Sequence, residues 1–543
     1  MFFRYLFAAL LALPFIAPAE AQDGCYGRAT AELSLSDVRA PLFNTGSLFN
    51  DGGAAAAPQK VPKDGDAGTV FWANLWVGGT VGGEVRTAAS TFAAGGEAPE
   101  FFPGPLDDAG QPAQECPEAD RIYRVTAVQL AAFEAGNPPA PELSAWPVGL
   151  GAPAVDAAGD PVVPTSLDQT VDLDAGERPV VYGTETAFWV MNDVAGEHLT
   201  TGSEPLGIEV RAFAFVVNAP GQPEVDRATF HRYEIVNKSG AAIEDLHAGL
   251  WTEYDLGTFN DDYIASDAGR HLSIVYNADE DDAGPTGYDV PPAAGVDVLS
   301  GGFSNLFYEN RQNVPTGNPG NVPSDYYNLL RGLWLDGTPL TRGGLGYAPG
   351  ETNVTRWHWD GDPVLQGFWT EENPTGDGVA RASGDRRAVV SAQPVTLAPG
   401  ATHTVDFAVL FAQGSSRLGS IGALRAASDV VQLRYDDGSL FDTTLGDLVV
   451  SEEDAPVSGA LSLAVAPNPV RSSARVGVTL PAAGTARVRV LDALGRTVAT
   501  LADGAYGAGD HAFDVPARLA TGVYVVTVEA GGERATRTLT VVR

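Results

Sequence analysis

The chain has 543 residues, a formal net charge of −36 and a sequence pI of about 4.4. So strong a negative charge argues against nucleic acid or an anionic membrane as a partner. The length is enough for two or three domains, each with its own core. The 63 glycines and 38 prolines are typical of a chain in which many turns connect short strands. We therefore predict a mainly β protein, with one or two β-sandwich domains in the body and few short helices.

Residues 1–21 have the pattern of a secretory signal peptide. Arg4 supplies an early positive charge, an apolar run extends from Leu6 to Ile16, and Ala19–Ala21 fits a cleavage site. The apolar run is shorter than the roughly 20 residues that a membrane-spanning helix needs. We predict an exported protein whose leader is removed, and no transmembrane segment.

The two cysteines of the chain, Cys25 and Cys116, both belong to a predicted N-terminal β-rich region, residues 22–215. Because exported proteins pass through oxidising compartments, we predict a disulfide between them. Closing a loop of that length would stabilise the fold by about 4–5 kcal/mol on the chain-entropy model. Two unpaired thiols are the alternative.

A second β-rich region is predicted over residues 216–450. The alternating runs Phe230–Val236 and His247–Tyr254, separated by a turn, predict a β-hairpin. Val405–Phe411 is apolar enough to be a central strand. Two helices are predicted in the body, over residues 127–135 and 420–434.

The acidic segment from residue 255 to residue 267 is the best candidate for a metal site. Calcium takes six to eight oxygen ligands, and closely spaced Asp and Asn side chains in a loop after a strand can supply them. Clustered carboxylates also repel one another without a cation. The predicted ligands are Asp255, Asn260, Asp261, Asp262 and Asp267. The alternative is a solvated acidic turn, which is also our interpretation of the second acidic loop, residues 277–284.

Trp357 and Trp359 are a candidate platform for sugar rings. Alternation on a strand would direct both indoles to one face, where each would offer a large apolar surface. The alternative is that both are buried in the core. Four carboxylates nearby could serve glycoside hydrolysis, which needs two of them about 5–10 Å apart. These are Asp360, Asp362, Glu371 and Glu372.

The end of the chain differs from the body in charge and pattern. Residues 451–460 are predicted to be a linker, and residues 461–543 form short alternating runs, such as Ala486–Leu491 and Gly522–Val528, separated by turns. The segments Leu461–Val470, Val488–Arg496 and Leu539–Arg543 complete the pattern. This region resembles the type A C-terminal sorting domain of the bacterial type IX secretion system. The resemblance implies an Ig-like β-sandwich that is recognised by the outer-membrane translocon.

The body resembles large secreted proteins that carry the same sorting domain. The motifs that support the resemblance are Gly46–Phe49, Leu75–Gly79, Phe101–Pro105, Asp255–Gly257, Asp261–Asp262, Gly384–Arg387 and Pro399–Gly400. This family implies an extracellular β-rich protein and no particular activity.

Together these features favour an extracellular or cell-surface protein that is not an enzyme but has a structural, adhesive or ligand-binding role. The resemblance implies that a sortase-like peptidase removes the tail, after which the body is joined to surface polysaccharide or released. A secreted hydrolase acting on polysaccharide is the alternative. No cofactor other than calcium is expected.

Overall fold

A computed structural model describes most of the chain. The described residues are 27–50, 58–92, 99–282, 287–365, 369–373, 381–445, 462–466, 475–480, 484–491, 496–506, 509–515, 519–520, 522–531 and 533–541. The predicted signal peptide, Cys25 and the predicted linker lie outside them. The chain divides into two compact units, Met1–Val449 and Val450–Arg543. We call them the body and the C-terminal unit.

The body is mainly β. Its strands are β1 (Thr30–Leu33), β2 (Ala40–Phe43), β3 (Ser47–Leu48), β4 (Val70–Val81), β5 (Glu84–Ala88), β6 (Phe102–Pro103), β7 (Tyr123–Thr126), β8 (Ala154–Val155), β9 (Arg178–Pro179), β10 (Glu185–Asn192), β11 (Ile208–Val216), β12 (Thr229–Asn237), β13 (Ile243–Tyr254), β14 (Asp262–Asp267), β15 (Leu272–Asn277), β16 (Ala293–Val298), β17 (Gly302–Tyr308), β18 (Arg386–Ala392), β19 (Val395–Leu397) and β20 (Thr402–Ala412). Its helices are α1 (Cys116–Ala119), α2 (Ala127–Glu134), α3 (Pro141–Ser144), α4 (Pro223–Asp226), α5 (Pro323–Leu330) and α6 (Arg417–Asp436), with 3-10 turns at Val148–Leu150 and Ser439–Phe441.

Two nine-stranded antiparallel sheets form most of the body, and β8 pairs with β9 in a separate two-stranded sheet. One has the order β1-β2-β3-β4-β13-β18-β17, with β5 beside β4 and β19 beside β13; the other has the order β14-β15-β16-β20-β12-β11-β10-β6, with β7 beside β10. Apolar residues from both sheets meet in one large core. The sheet that contains β11 and β12 carries residues from both sides of position 215, so the two predicted β-rich regions share a sheet and a core.

The second sheet is buried on both faces. Along β11, Val210, Ala212 and Ala214 point to the core between the sheets, whereas Phe213 and Phe215 pack on the opposite face. Helix α6 covers part of that opposite face with Ile421, Leu424 and Val431. The predicted strand over residues 405–411 is confirmed as β20, which lies between β16 and β12 inside this sheet.

The hairpin predicted from residues 230–236 and 247–254 is wrong. Strand β12 pairs with β11 and β20, whereas β13 pairs with β4, β18 and β19 in the other sheet. Both strands direct apolar side chains to the same core, including Ile235 from β12 and Leu250 from β13. Two strands that hydrogen-bond within one sheet and two strands that face each other across two packed sheets show the same alternation of apolar residues. The alternation alone therefore could not tell which arrangement β12 and β13 adopt.

The helices at residues 127–135 and 420–434 are confirmed. Helix α2 begins with a capping box, in which the Thr126 hydroxyl accepts from the Gln129 backbone N–H and the Gln129 side chain accepts from the Thr126 N–H. At the start of α6 the Ser416 hydroxyl accepts from the Gly419 N–H. These caps satisfy N–H groups that have no partner in the first turn of a helix.

The C-terminal unit contains a three-stranded sheet and a four-stranded sheet. Its strands are β21 (Ser462–Ala466), β22 (Arg475–Leu480), β23 (Gly484–Leu491), β24 (Thr497–Tyr506), β25 (Gly509–Asp514), β26 (Gly522–Ala530) and β27 (Glu533–Val541). The sheet orders are β21-β22-β25 and β24-β23-β26-β27. The two sheets share an apolar core that includes Val476, Val488 and Val526, an arrangement that fits the predicted small sandwich. Across the described parts of both units, no helix has the length and apolar character needed to cross a membrane.

Candidate functional site

The predicted calcium-binding residues follow β13 and extend into β14. Asp262 is the first residue of β14 and is fully buried. Its Oδ2 accepts from the Leu256 N–H at 3.1 Å, and its Oδ1 has no hydrogen-bond partner in the described part of the chain. Burial raises the pKa of Asp262 well above its ordinary value, and the charges of Asp261 and Asp255 raise it further.

Two further carboxyl groups belong to this neighbourhood. Burial raises the pKa of Asp255 to about 8, and the charges of Glu253 and Asp385 act in the same direction. Asp282, which belongs to the second acidic loop, accepts from the Thr258 N–H at 3.1 Å and from the Tyr288 N–H at 2.8 Å. The second loop therefore contributes to the site, although its sequence gave no reason to expect this.

The other two predicted ligands are placed differently. Asp267 forms ion pairs with Arg270 and Arg425, each at 3.0 Å. Asn260 is exposed in the loop. Among the residues that the structure describes, no three Asp, Glu, His or Cys side chains are arranged so that they could hold a metal ion. Calcium binding here stays a prediction, centred on Asp255, Asp261 and Asp262.

Trp357 and Trp359 do not lie together on a strand. Trp359 has a backbone φ of +48° and is buried, with its indole 3.9 Å from the His358 ring centre. Trp357 is half-buried, forms a bridge with Asn305 of β17, and stacks on His271 with ring centres 6.0 Å apart. The turn between the two tryptophans separates their rings, so each lines a different cavity.

The four carboxylates considered for hydrolysis are each held by an arginine. Glu371 is fully buried, lies 2.8 Å from Arg386 and 3.3 Å from Arg381, and accepts from the Ile264 N–H. The remaining pairs are Glu372 with Arg417, Asp360 with Arg342, and Asp362 with Arg425, at 3.0, 2.6 and 3.1 Å. These pairs attach the segment to strands and to α6.

A cavity of about 690 Å³ lies beside Trp357. Its lining includes Phe303, Arg331, Arg356 and His247. The Arg356 guanidinium lies 4.3 Å from the centre of the Phe303 ring, and Arg331 approaches the Asp245 carboxylate at 3.6 Å. Burial lowers the pKa of His247 to about 4. The cavity thus combines aromatic faces with guanidinium groups and a neutral imidazole.

The sequence interpretation missed the residues that surround Trp357 in space. Arg331 follows α5, and His271 precedes β15, so nothing in their spacing connects them to Trp357. Arg356 was detectable, because it directly precedes Trp357 in a segment that already held two tryptophans.

The comparisons with known proteins identify only the end of the chain. Residues 464–542 match the family model of the secretion system C-terminal sorting domain. No curated protein matches the chain.

Solved structures resemble the chain only distantly. A polysaccharide lyase shows a TM-score of 0.20 and 10% identity over 72% of this chain and 39% of its own. Dimeric latent PorU from Porphyromonas gingivalis shows a TM-score of 0.13 and 10% identity over 61% and 26%. The BSP domain of a biofilm-associated protein shows a TM-score of 0.12 and 11% identity over 66% and 59%. At these TM-scores the similarities support no functional argument. Residues 464–542 are a type IX secretion C-terminal sorting domain, and this domain directs the protein to the cell surface or the extracellular space.

Proposed function

We propose that the body is a non-enzymatic ligand-binding or adhesive protein that the C-terminal unit delivers through the type IX secretion system. The match of residues 464–542 to the sorting-domain model carries the export part of this proposal. The division of the chain at Val449 supports it, because the sorting domain has its own sheets and its own core. A signal peptide at residues 1–21 would supply passage across the inner membrane.

The sorting domain would contact the translocon and a sortase-like peptidase. After removal of the tail the body would be joined to surface polysaccharide or released. In either case the body acts outside the cell, where a Cys25–Cys116 disulfide would persist.

The arginine partners of the four acidic residues between 360 and 372 favour binding over hydrolysis. A glycoside hydrolase needs one carboxyl group that gives up a proton to the leaving oxygen and a second one that faces the substrate. Here Glu371 is fully buried, and Asp362 has its pKa lowered by Arg425. A polysaccharide-hydrolysis screen of the purified protein should therefore be negative. Measurable release of reducing sugar would favour the hydrolase instead.

Deletion of residues 461–543 tests the export proposal. In a bacterium with a type IX system, the truncated chain should accumulate in the periplasm, whereas the full chain should reach the surface or the medium. Proteinase accessibility of intact cells, followed by fractionation, measures the difference. Normal surface display of the truncated chain would contradict the proposal.

A further inference from the structure

Arg356 differs from most arginines of the body in its surroundings. Arg386, Arg387 and Arg417 are each largely buried and paired with a carboxylate at 3.0 Å or less. Arg356 is exposed, and within the described part of the chain its guanidinium has an aromatic neighbour, Phe303, and no carboxylate within ion-pair distance. A guanidinium without a carboxylate partner is available for an external anion.

The charge of the cavity beside Trp357 is opposite to that of the protein. Arg331 and Arg356 contribute two positive charges, and Asp245 contributes one negative charge. His247 is neutral at physiological pH, and its buried Nδ1 has no hydrogen-bond partner in the described residues. The cavity is therefore locally positive on a chain of net charge −36. Local positive potential would attract an anionic ligand that the rest of the surface repels.

The aromatic side of the cavity is held in place by the backbone. The Asn305 N–H donates to the Arg356 carbonyl and the His358 N–H donates to the Asn305 carbonyl, both at 2.9 Å. The Trp357 ring then lies against His271, whose backbone φ is +58°. A half-buried indole held in this way offers its accessible part as a stacking surface, with little loss of side-chain entropy on binding.

We propose that this cavity binds an anionic sugar, with a pyranose ring on Trp357 and its carboxylate or sulfate group on Arg356, while the nearby Arg331 adds positive potential. The indole offers an apolar face on which a sugar ring can stack. The planar guanidinium beside it can donate two parallel hydrogen bonds to a carboxylate or sulfate group on that sugar. His271, on which Trp357 stacks, also lines a second cavity of about 400 Å³. This inference rests on the ligand-binding part of the proposed function and is independent of the export route.

Calorimetric titration of the purified full-length chain tests the inference. The probes are tetragalacturonate, a sulfated galactan oligosaccharide, a neutral galactan oligosaccharide of the same length and a poly-glutamate peptide. We expect at least one of the two anionic sugars to bind at least tenfold more tightly than the neutral sugar and the peptide, and which of them does so identifies the anion. The affinity should fall as NaCl is raised from 50 to 500 mM.

Variants locate the binding. Arg356→Gln should weaken binding of the anionic sugar about tenfold or more and reduce its salt dependence. Arg356→Lys should recover part of the affinity, because the charge stays while the fork is lost. Trp357→Phe should weaken binding less than Trp357→Ala, because phenylalanine keeps an aromatic face. Arg342→Gln is the matched control, since that arginine is paired with Asp360 outside the cavity, and it should leave binding unchanged.

Four results would overturn the inference: equal binding of the neutral sugar, equal binding of poly-glutamate, no binding of either anionic sugar, or wild-type affinity in a folded Arg356→Gln variant. Equal binding of the neutral sugar would refute the anionic ligand but leave the proposed ligand-binding function intact. None of these outcomes bears on the export of the protein, which is tested separately. Melting curves of each variant establish that a lost affinity is not a lost fold.

Discussion

The body and the C-terminal unit are both antiparallel sheet structures, but they bury their strands differently. In β23 the buried residues Ala486, Val488 and Val490 alternate with the exposed Arg487 and the half-buried Arg489. In β10 all eight residues are buried. A strand with one solvent-exposed face alternates apolar and polar residues in the sequence, whereas a strand that is covered on both faces is a continuous apolar run. This difference explains why the strand alternation is easier to recognise in the sequence of the tail than in that of the body.

The arginines of the two regions differ in the same way. Arg487 and Asp503 of the C-terminal unit form a surface pair in which both side chains are about half exposed. Arg386 and Glu371 of the body are buried at 7% and 0% exposure. Surface pairs contribute little to stability, whereas separating a buried pair is costly. In the body, arginine is mainly a structural residue, so an arginine without an acidic partner is informative.

The two separate cores should melt as separate transitions. Trp251 is fully buried in the body, where it stacks on Trp76 and donates to the Tyr308 hydroxyl at 2.6 Å. Trp251→Ala should destabilise the body by about 3–5 kcal/mol and leave the transition of the C-terminal unit in place. Differential scanning calorimetry measures both. The exposed Leu433 provides the control Leu433→Ala, and a single transition that moves as a whole would refute the separation.

The contrast between buried and surface pairs can be tested with matched substitutions. Arg386→Met leaves the buried Glu371 with Arg381 as its remaining arginine partner and should cost about 3 kcal/mol or more. Arg487→Met removes a surface pair and should cost less than about 1 kcal/mol. Urea unfolding of both variants provides the free energies. If both variants lost less than about 1 kcal/mol of unfolding free energy, the buried pair would not stabilise the body more than a surface pair does.

Asp297 should make the stability of the body pH-dependent. Burial raises the pKa of this carboxyl to about 7, and Ser428 donates to it at 2.6 Å. The pKa of Asp297 is higher in the folded than in the unfolded protein. Between pH 4 and 7 the carboxyl group therefore ionises more readily in the unfolded chain, and the free energy of unfolding falls as the pH rises. Asp297→Asn should match the wild type at pH 4 and be more stable above pH 7, by up to about 4 kcal/mol. Melting temperatures across pH 4–9 measure this, and parallel profiles for the two proteins would exclude it.

Calcium should act on the body alone. A cation beside Asp255, Asp261 and Asp262 would offset their mutual repulsion and stabilise the native state by about 2–3 kcal/mol at a hundredfold excess over Kd. The expected result is a higher melting temperature of the body transition in calcium than in EDTA. Asp262→Asn should abolish the difference, and Asp267→Asn, at the arginine-paired aspartate, should preserve it. An identical melt in calcium and EDTA would remove the calcium prediction.

The sequence predicted elements better than it predicted neighbours. The periodic spacing of Ile421, Leu424 and Val431 sufficed for α6, and the apolar run 405–411 sufficed for β20. The partner of β13 could not be predicted, because face-to-face packing and edge pairing use the same alternation. The same holds for the two candidate sites. In the acidic site, Asp255 and Asp262 are close in sequence, whereas Asp282 is brought near them by the fold. Around Trp357, Arg331 and His271 are likewise placed by the fold alone. The positive φ of Trp359, which separates its ring from that of Trp357, could not be predicted, because this backbone conformation is expected mainly at Gly, Asn and Asp.

Transfer of the C-terminal unit to a foreign protein tests the central claim most directly. A periplasmic reporter with a signal peptide is expressed with and without residues 450–543 in a bacterium that has a type IX system. We predict that the tailed reporter reaches the cell surface or the medium, while the untailed reporter and a tailed Val488→Asp variant, whose sorting-domain core is disrupted, stay in the periplasm. Retention of the tailed reporter in the periplasm would contradict the account, as would export of the untailed one.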